Sequence, residues 1–537
     1  MSGVVAALLL GAFVSRVDAQ FDATAVEPVE RLGGALLLHG GGGISGEVRG
    51  KFMELAGGSE ARIVVIPTAD PEDPLDDDHL RIWRELGPKS LVRLHADTRE
   101  QAMQPAFVEP LREATAIWIS GGRQSRLAQT YADSPVERAV IEVVRRGGVV
   151  GGSSAGAAIA SRVMLVRGEL RQGFDLLPGA IVDQHFLARN RQSRLMDALA
   201  AARDRFGVGI DENTALLLRG RRLEVIGEST VTVCLPPTPR RPAATRELKA
   251  GDLADYLALS RAALERSREK FPPAAPPPPR LDKGTLIIVG GGGIPAGTLQ
   301  RFIDDAGGPE APLVYIPCEE REMLVGDPDF VGVLRRAGAT NVQWIHTKDR
   351  RRANQDETLL APLRTAKGIW FGGGRQWNLV DSYQNTCAHR LMHEVLQRGG
   401  VIGGSSAGAS IQGDYMPRGD PLGNLNIIAE GYEQGLGFLT GVAIDQHFAQ
   451  RNRFGDMSEL ISKYPQYLGI GIDESTAIVV KEHRAEVVGK GHVAFYDAGR
   501  RKLENQPDYL SLSSGQSYDL VSRSVVATDA GANPPSP

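Results

Sequence analysis

Cysteine is almost missing from this chain. Cys234, Cys318 and Cys387 are the only three in 537 residues, too few and too scattered for a disulfide framework or a cysteine-based zinc site. A basic excess is missing too. The net charge is −4 and the pI about 6.3, so nothing marks a nucleic-acid surface. Beyond the first twenty residues no apolar run is long enough to cross a bilayer as a helix. No His/Asp/Glu cluster has metal spacing, and the glycine-rich stretches lack the Gly-Lys-Ser/Thr of a phosphate-binding loop. Neither metal nor cofactor is therefore expected.

What is present is ordinary globular composition, 42% hydrophobic and 23% charged, in a length suited to two to four domains. The start, MSGVVAALLLGAFVSRVDAQ, carries an apolar or small run from Val4 to Val14 and a small-x-small site ending at Ala19. Residues 1–19 are expected to be a signal peptide, with the mature chain secreted or periplasmic.

The dominant feature is self-similarity. LLLHGGGGI at Leu36 returns as LIIVGGGGI at Leu286, and IWISGGRQ at Ile117 as IWFGGGRQ at Ile369. VDQHFLARNR at Val182 returns as IDQHFAQRNR at Ile444, and GVGIDENTA at Gly207 as GIGIDESTA at Gly469. The order is kept and the offsets run from 250 to 262, which describes a duplicated domain rather than a short-period solenoid. The expected boundaries are a first domain over 30–268, a proline-rich linker over 269–282 containing FPPAAPPPPR, a second domain over 283–525 and a disordered tail over 526–537. Within each copy, short apolar runs ending in glycine alternate with helical spacing, as in SPVERAVIEVVRRGG. That alternation predicts an α/β fold, a mostly parallel sheet with helices on both faces. Sites in such sheets lie at the carboxyl ends of strands.

One of those ends carries VVGGSSAGAAIAS, copied as VIGGSSAGASIQG. It fits the G-x-S-x-G turn, in which tiny neighbours let a strand and a helix meet around an exposed serine. Register selects Ser154 and Ser406 as nucleophiles, with Ser153 and Ser405 supporting the turn. A serine needs a base. Of ten histidines, His185 and His447 hold the same place in a repeated motif, each in Asp-Gln-His-Phe. For the acid that orients the imidazole, Glu169 and Asp420 are favoured by their similar distance after the serine. Asp183 and Asp445, or Asp211, Glu212, Asp473 and Glu474, are the rivals. The arginines after each histidine suit an acidic substrate, since a guanidinium matches a carboxylate. Gly41-x-Gly43-x-x-Gly46 matches a dinucleotide fingerprint, but the second copy does not keep the pattern, and nucleotide binding is set aside.

These motifs resemble the cyanophycinase and dipeptidase E family of serine peptidases (peptidase family S51), whose fold is class I glutamine amidotransferase-like, that is flavodoxin-like. S-A-G together with D-Q-H-F-x-x-R-x-R-x-x-R carries the resemblance, over nearly all of both copies. It implies a serine exopeptidase that cuts a poly-aspartate polymer bearing arginine side chains into β-Asp-Arg dipeptides. It implies backbone N–H groups of Gly122 and Ala155, or of Gly374 and Ala407, as an oxyanion hole. Substrate would be held by Gln124, Arg189, Arg191 and Arg194 in the first copy, and by Gln376, Arg451 and Arg453 in the second. The chain departs from the family in Arg123 and Arg375, where an acidic residue is common, and in Asp456, where the third arginine is expected. The alternatives are a peptidase for another β-aspartyl or acidic peptide, or a binding protein with one or both sites inactive. An amidotransferase would need cysteine at the turn. The expected partner is a peptide or polymer, with no nucleic acid and no membrane in the mature form; an oligomer, or a pseudo-dimer of the two copies, would fit.

Overall fold

A computed structural model describes residues 33–500 and 506–526. The expected signal peptide and nearly all of the expected tail lie outside the described residues. Two compact units divide between Phe271 and Pro272. Each is a flavodoxin-like α/β domain.

In the first unit an eight-stranded sheet runs β14-β11-β10-β1-β5-β4-β2-β3. Its strands are β1 (Ala35–His39), β2 (Arg62–Ile66), β3 (Ser90–Arg93), β4 (Ala116–Ile119), β5 (Val149–Ser153), β10 (Thr214–Arg219), β11 (Arg222–Gly227) and β14 (Leu253–Asp255). The β1, β5, β4, β2 and β3 part is parallel, and the β10 side is antiparallel. A second sheet orders β13 (Ala244–Leu248), β12 (Val231–Leu235), β9 (Phe206–Ile210) and β8 (Ala180–Gln184). β6 (Val163–Val166) and β7 (Glu169–Gln172) form a separate hairpin.

The apolar runs that predicted buried strands are buried on both faces. Leu36 and Leu38 of β1 face one core, shared with Val182, Val208 and Val231 of the second sheet. Ala35 and Leu37 face another, built on Phe52, Trp83 and Trp118. Helix Pro135–Arg145 begins as its sequence dictates. Ser134 accepts from the amides of Val136 and Glu137, and Pro135 takes the first position, where no amide donor is needed.

The second unit repeats the plan with a nine-stranded and a five-stranded sheet. The proline run is not a free spacer. Pro272 and Pro279 are buried, Gln466 Nε2 donates to Pro273 O at 3.0 Å, and Leu281 N donates to Glu482 O at 2.7 Å. Prolines lack amide donors, but their carbonyls still accept, and the second unit uses them.

Candidate active site

Ser154 follows β5 and precedes the short helix Ala155–Ala158. Its backbone is strained, at φ 51° and ψ −107°, and Ser406 repeats this at 56° and −115°. The glycines explain how the turn closes. A Cβ on Gly152 would lie 2.4 Å from Gly156 O, and one on Gly156 would lie 2.0 Å from Ile119 O. No other residue fits either place. Such strain is held only where the surroundings over-determine it, and it concentrates at functional positions.

The histidine arrives from the second sheet. His185 follows β8 with φ 49°, and His447 matches it at 50°. Ser154 Oγ and His185 Nε2 are 2.9 Å apart, as are Ser406 Oγ and His447 Nε2. Each Nδ1 lies 2.6 Å from a carboxylate oxygen, that of Glu212 in the first unit and of Glu474 in the second. An ionised carboxylate only accepts, so the imidazole proton sits on Nδ1, and Nε2 is left to accept from the serine hydroxyl.

The favoured acids are corrected here. Glu169 lies on the exposed hairpin and pairs with Arg171. Asp420 accepts from Leu422 N at 2.9 Å and from Asn426 Nδ2 at 3.2 Å. Neither bonds to a histidine. Asp211 accepts from the amides of Leu187 and Ala188, each at 3.0 Å, and so shapes the turn that carries the histidine; Asp473 does the same through Ala449 N at 3.0 Å. A sequence signal for the glutamates existed. Each lies 27 residues after its histidine in both units, whereas the serine-to-histidine spacing differs.

The glycine-rich loop after β1 has a different use from nucleotide binding. A Cβ on Gly41 would sit 2.2 Å from His185 Cε1, and one on Gly291 would sit 2.3 Å from His447 Cε1. The loop gives the imidazole its space. Gly40 O and Gly290 O also accept from the histidine amides at 2.8 Å.

The arginines divide. Arg191 donates to Asp183 Oδ1 at 3.2 Å and to Gln184 O at 2.7 Å, and Arg194 Nε to Asp183 Oδ2 at 2.9 Å. Asp183 is fully buried. These two arginines neutralise a structural carboxylate and are not free for substrate. Arg453 does likewise for Asp445, at 2.7 Å. Arg189 and Arg451 are exposed and close enough to the histidines to act on their charge. Gln124 Nε2 donates to Leu165 O, and Gln376 Nε2 to Pro417 O at 2.8 Å, so both glutamines hold the segment after the serine. Gly121 and Gly373 lie against the serines, since a Cβ there would come 3.4 Å from Ser154 Cβ and 3.5 Å from Ser406 Cβ; the next residues, Gly122 and Gly374, have φ 138° and 143°, and Ala155 and Ala407 follow the serines directly. Gln184 Oε1 and Gln446 Oε1 are buried with no partner among the described residues.

Burial pushes both imidazoles below their ordinary pKa of 6.5, and the Glu212 and Glu474 carboxylates only partly oppose it. The neutral form is the one able to accept a proton. A lowered pKa keeps that form present to lower pH, and activity is lost as pH falls through the lowered value. The acid limb of kcat/KM, recorded separately on Ser154→Ala and Ser406→Ala chains, is expected below pH 6.5 for each site. A limb above that value would contradict the burial argument.

A serine on a strained strand-to-helix turn, bonded to a histidine that is bonded in turn to a carboxylate, is an arrangement suited to a serine-type peptidase, and it occurs once in each unit. Residues 36–226 and 286–488 both match the model of peptidase family S51, and the chain belongs to that family. It is 37% identical over 211 residues to the cyanophycinase of Geminocystis herdmanii (strain PCC 6308), covering 36% of this chain and 78% of that protein. It is 35% identical over 214 residues to the cyanophycinase of Nostoc sp. (strain PCC 7120 / SAG 25.82 / UTEX 2576), covering 36% of this chain and 72% of that protein. Among solved structures, a peptidase from an acI-B1 Actinobacterium is 26% identical, with a TM-score of 0.34 over 42% of this chain and 98% of that one. Among the described residues no group of three or more His, Cys, Asp or Glu is placed to hold a metal ion.

Proposed function

We propose that the chain hydrolyses cyanophycin, releasing β-Asp-Arg dipeptides, through Ser154–His185–Glu212 and Ser406–His447–Glu474. The observation that carries this reading is the hydrogen-bonded chain of 2.9 and 2.6 Å, found in both units. The relatives described as cyanophycinases support the choice of substrate.

Ser154 Oγ attacks the scissile carbonyl and His185 Nε2 takes its proton, while Glu212 stabilises the imidazolium. The backbone N–H groups of Gly122 and Ala155 receive the developing oxyanion; Ala155 is the first residue of its helix, so its N–H has no intrahelical partner. The imidazolium returns its proton to the leaving amine, and water then cleaves the acyl-serine. Arg189 and Arg451, exposed beside the two histidines, meet the substrate carboxylate.

The test is turnover of purified cyanophycin by the intact chain beside Ser154→Ala, Ser406→Ala and the double variant. The double variant is expected to fall to background, with each single variant keeping the other site's share. Hydrolysis that survives in the double variant would reject the mechanism. An intact chain that cleaves other acidic or β-aspartyl peptides but not cyanophycin would reject the substrate, and one that binds without cleaving would make this a binding protein.

A further inference from the structure

Asp183 and Asp445 hold matching places two residues before the histidines, yet they recruit their second guanidinium from different parts of the chain. In the first unit it comes from Arg194, in the helix after the histidine. In the second, the residue at that helical position is Asp456. Asp445 instead receives Arg418 Nε at 2.9 Å, and the other edge of the same guanidinium reaches Asp456 Oδ2 at 2.6 Å. Arg418 comes from the segment after the serine. Its side chain is 3% exposed, and its backbone is left-handed, at φ 58°. The matching turn of the first unit is Arg167, at φ 52° and exposed, whose side chain makes no hydrogen bond or ion pair among the described residues.

The far side of the segment is tied as well. Arg375 Nη2 donates to Asp420 O and, at 2.6 Å, to Gly423 O; Gln376 Nε2 donates to Arg418 O at 3.0 Å. Both residues follow Gly374 directly. Residues 417–423 are therefore bonded on the oxyanion side of Ser406 and, through Arg418, on the histidine side. In the first unit Arg123 is exposed; its amide donates to Ala69 O at 2.7 Å, and its side chain makes no hydrogen bond or ion pair among the described residues. The β6–β7 hairpin is held by Gln124 to Leu165 O and by Gln172 to Asp133 Oδ1 at 3.0 Å, Leu165 packs in one cluster with Ile181 of β8, and among the described residues no hydrogen bond or ion pair ties the hairpin to Asp183.

We infer that the two sites select substrates by size. In the second unit Arg418, Arg375 and Gln376 hold residues 417–423 fixed where a long substrate would have to pass, admitting only short peptides, while the first unit accepts an extended, carboxylate-bearing chain past the unpaired side chains of Arg123, Arg167 and Arg189. This rests on the peptidase reading above for what is cleaved, though not for the strap itself. In the strap Arg418 and Asp445 are buried and Asp456 is half-exposed, and it opens only if Asp445 is left buried without its second guanidinium.

The test transplants the first unit's pairing into the second. Arg418→Ala with Asp456→Arg gives Asp445 a guanidinium from the helix and frees the segment. In a Ser154→Ala background, Ser406 is labelled with a small and a bulky fluorophosphonate, and exchange of the amides of 416–426 is followed by mass spectrometry. Before the transplant the bulky probe is expected to lag the small one at Ser406 by about tenfold or more, a contrast within the reach of a pocket constraint. At Ser154, in a Ser406→Ala background, the two should run alike. The transplant should remove the lag and speed exchange about tenfold. Equal labelling at Ser406 before the transplant, or exchange that the transplant does not change, overturns the inference. If neither probe labels either serine, the peptidase reading fails, and the exchange result still decides the strap.

Discussion

Glutamine in place of Glu212, in a chain whose Ser406 is alanine, should lower kcat by about a thousand- to ten-thousand-fold, the scale expected when the orienting carboxylate of a Ser-His-acid site becomes an amide. The geometry states why. Glu212 Oε1 stands 2.6 Å from His185 Nδ1. An amide can present its NH2 there as readily as its oxygen, and then the ring proton moves to Nε2, where the serine needs an acceptor. The same change at Glu169 should leave kcat within about twofold, since an exposed side chain away from the site is outside the usual mechanisms of large effect. Steady-state rates for the two variants decide between these carboxylates. Glu474→Gln in a Ser154→Ala chain should repeat the first result.

The second large effect is on stability. Asp445→Ala is expected to cost the second unit about 3–5 kcal/mol, the range for removing one partner from a buried ion pair. Both guanidiniums that face Asp445 are enclosed, Arg418 at 3% and Arg453 at 4% side-chain exposure. Asp183→Ala should cost less. Its partners Arg191 and Arg194 keep 15% and 27% exposure, and water can take over part of their solvation. Urea unfolding of the full-length variants gives the ranking, and an equal or reversed order would show that exposure is the wrong guide.

The sequence made the duplication, the α/β class and the serine and histidine legible, because each is written in short-range terms: apolar runs, a turn built of tiny residues, a motif kept in both copies. It pointed to the wrong acid because distance after the serine says little about space. Residues 163–172 form a hairpin that leaves the site, while the strand ending at Ile210 returns beside β8 and delivers Glu212. The arginine motif misled for a related reason. A guanidinium reads as a substrate clamp until a buried carboxylate two residues before the histidine is seen to consume it. Asp456, which looks like a lost substrate contact, is half of an internal pair, and that pairing joins elements 38 residues apart.

Ser154 rides on one sheet and His185 with Glu212 on another, and the hydrophobic core between them includes Val150, Val182 and Val208. The distance across the reacting hydrogen bond is thus set by how thickly that apolar filling is packed. A displacement on the order of 1 Å can cost about a hundredfold in rate while leaving a fold intact. A single methylene lost from the filling, far from any polar group of the site, is then read out as chemistry: the enzyme works as a feeler gauge for its own interior, and each unit carries its own gauge.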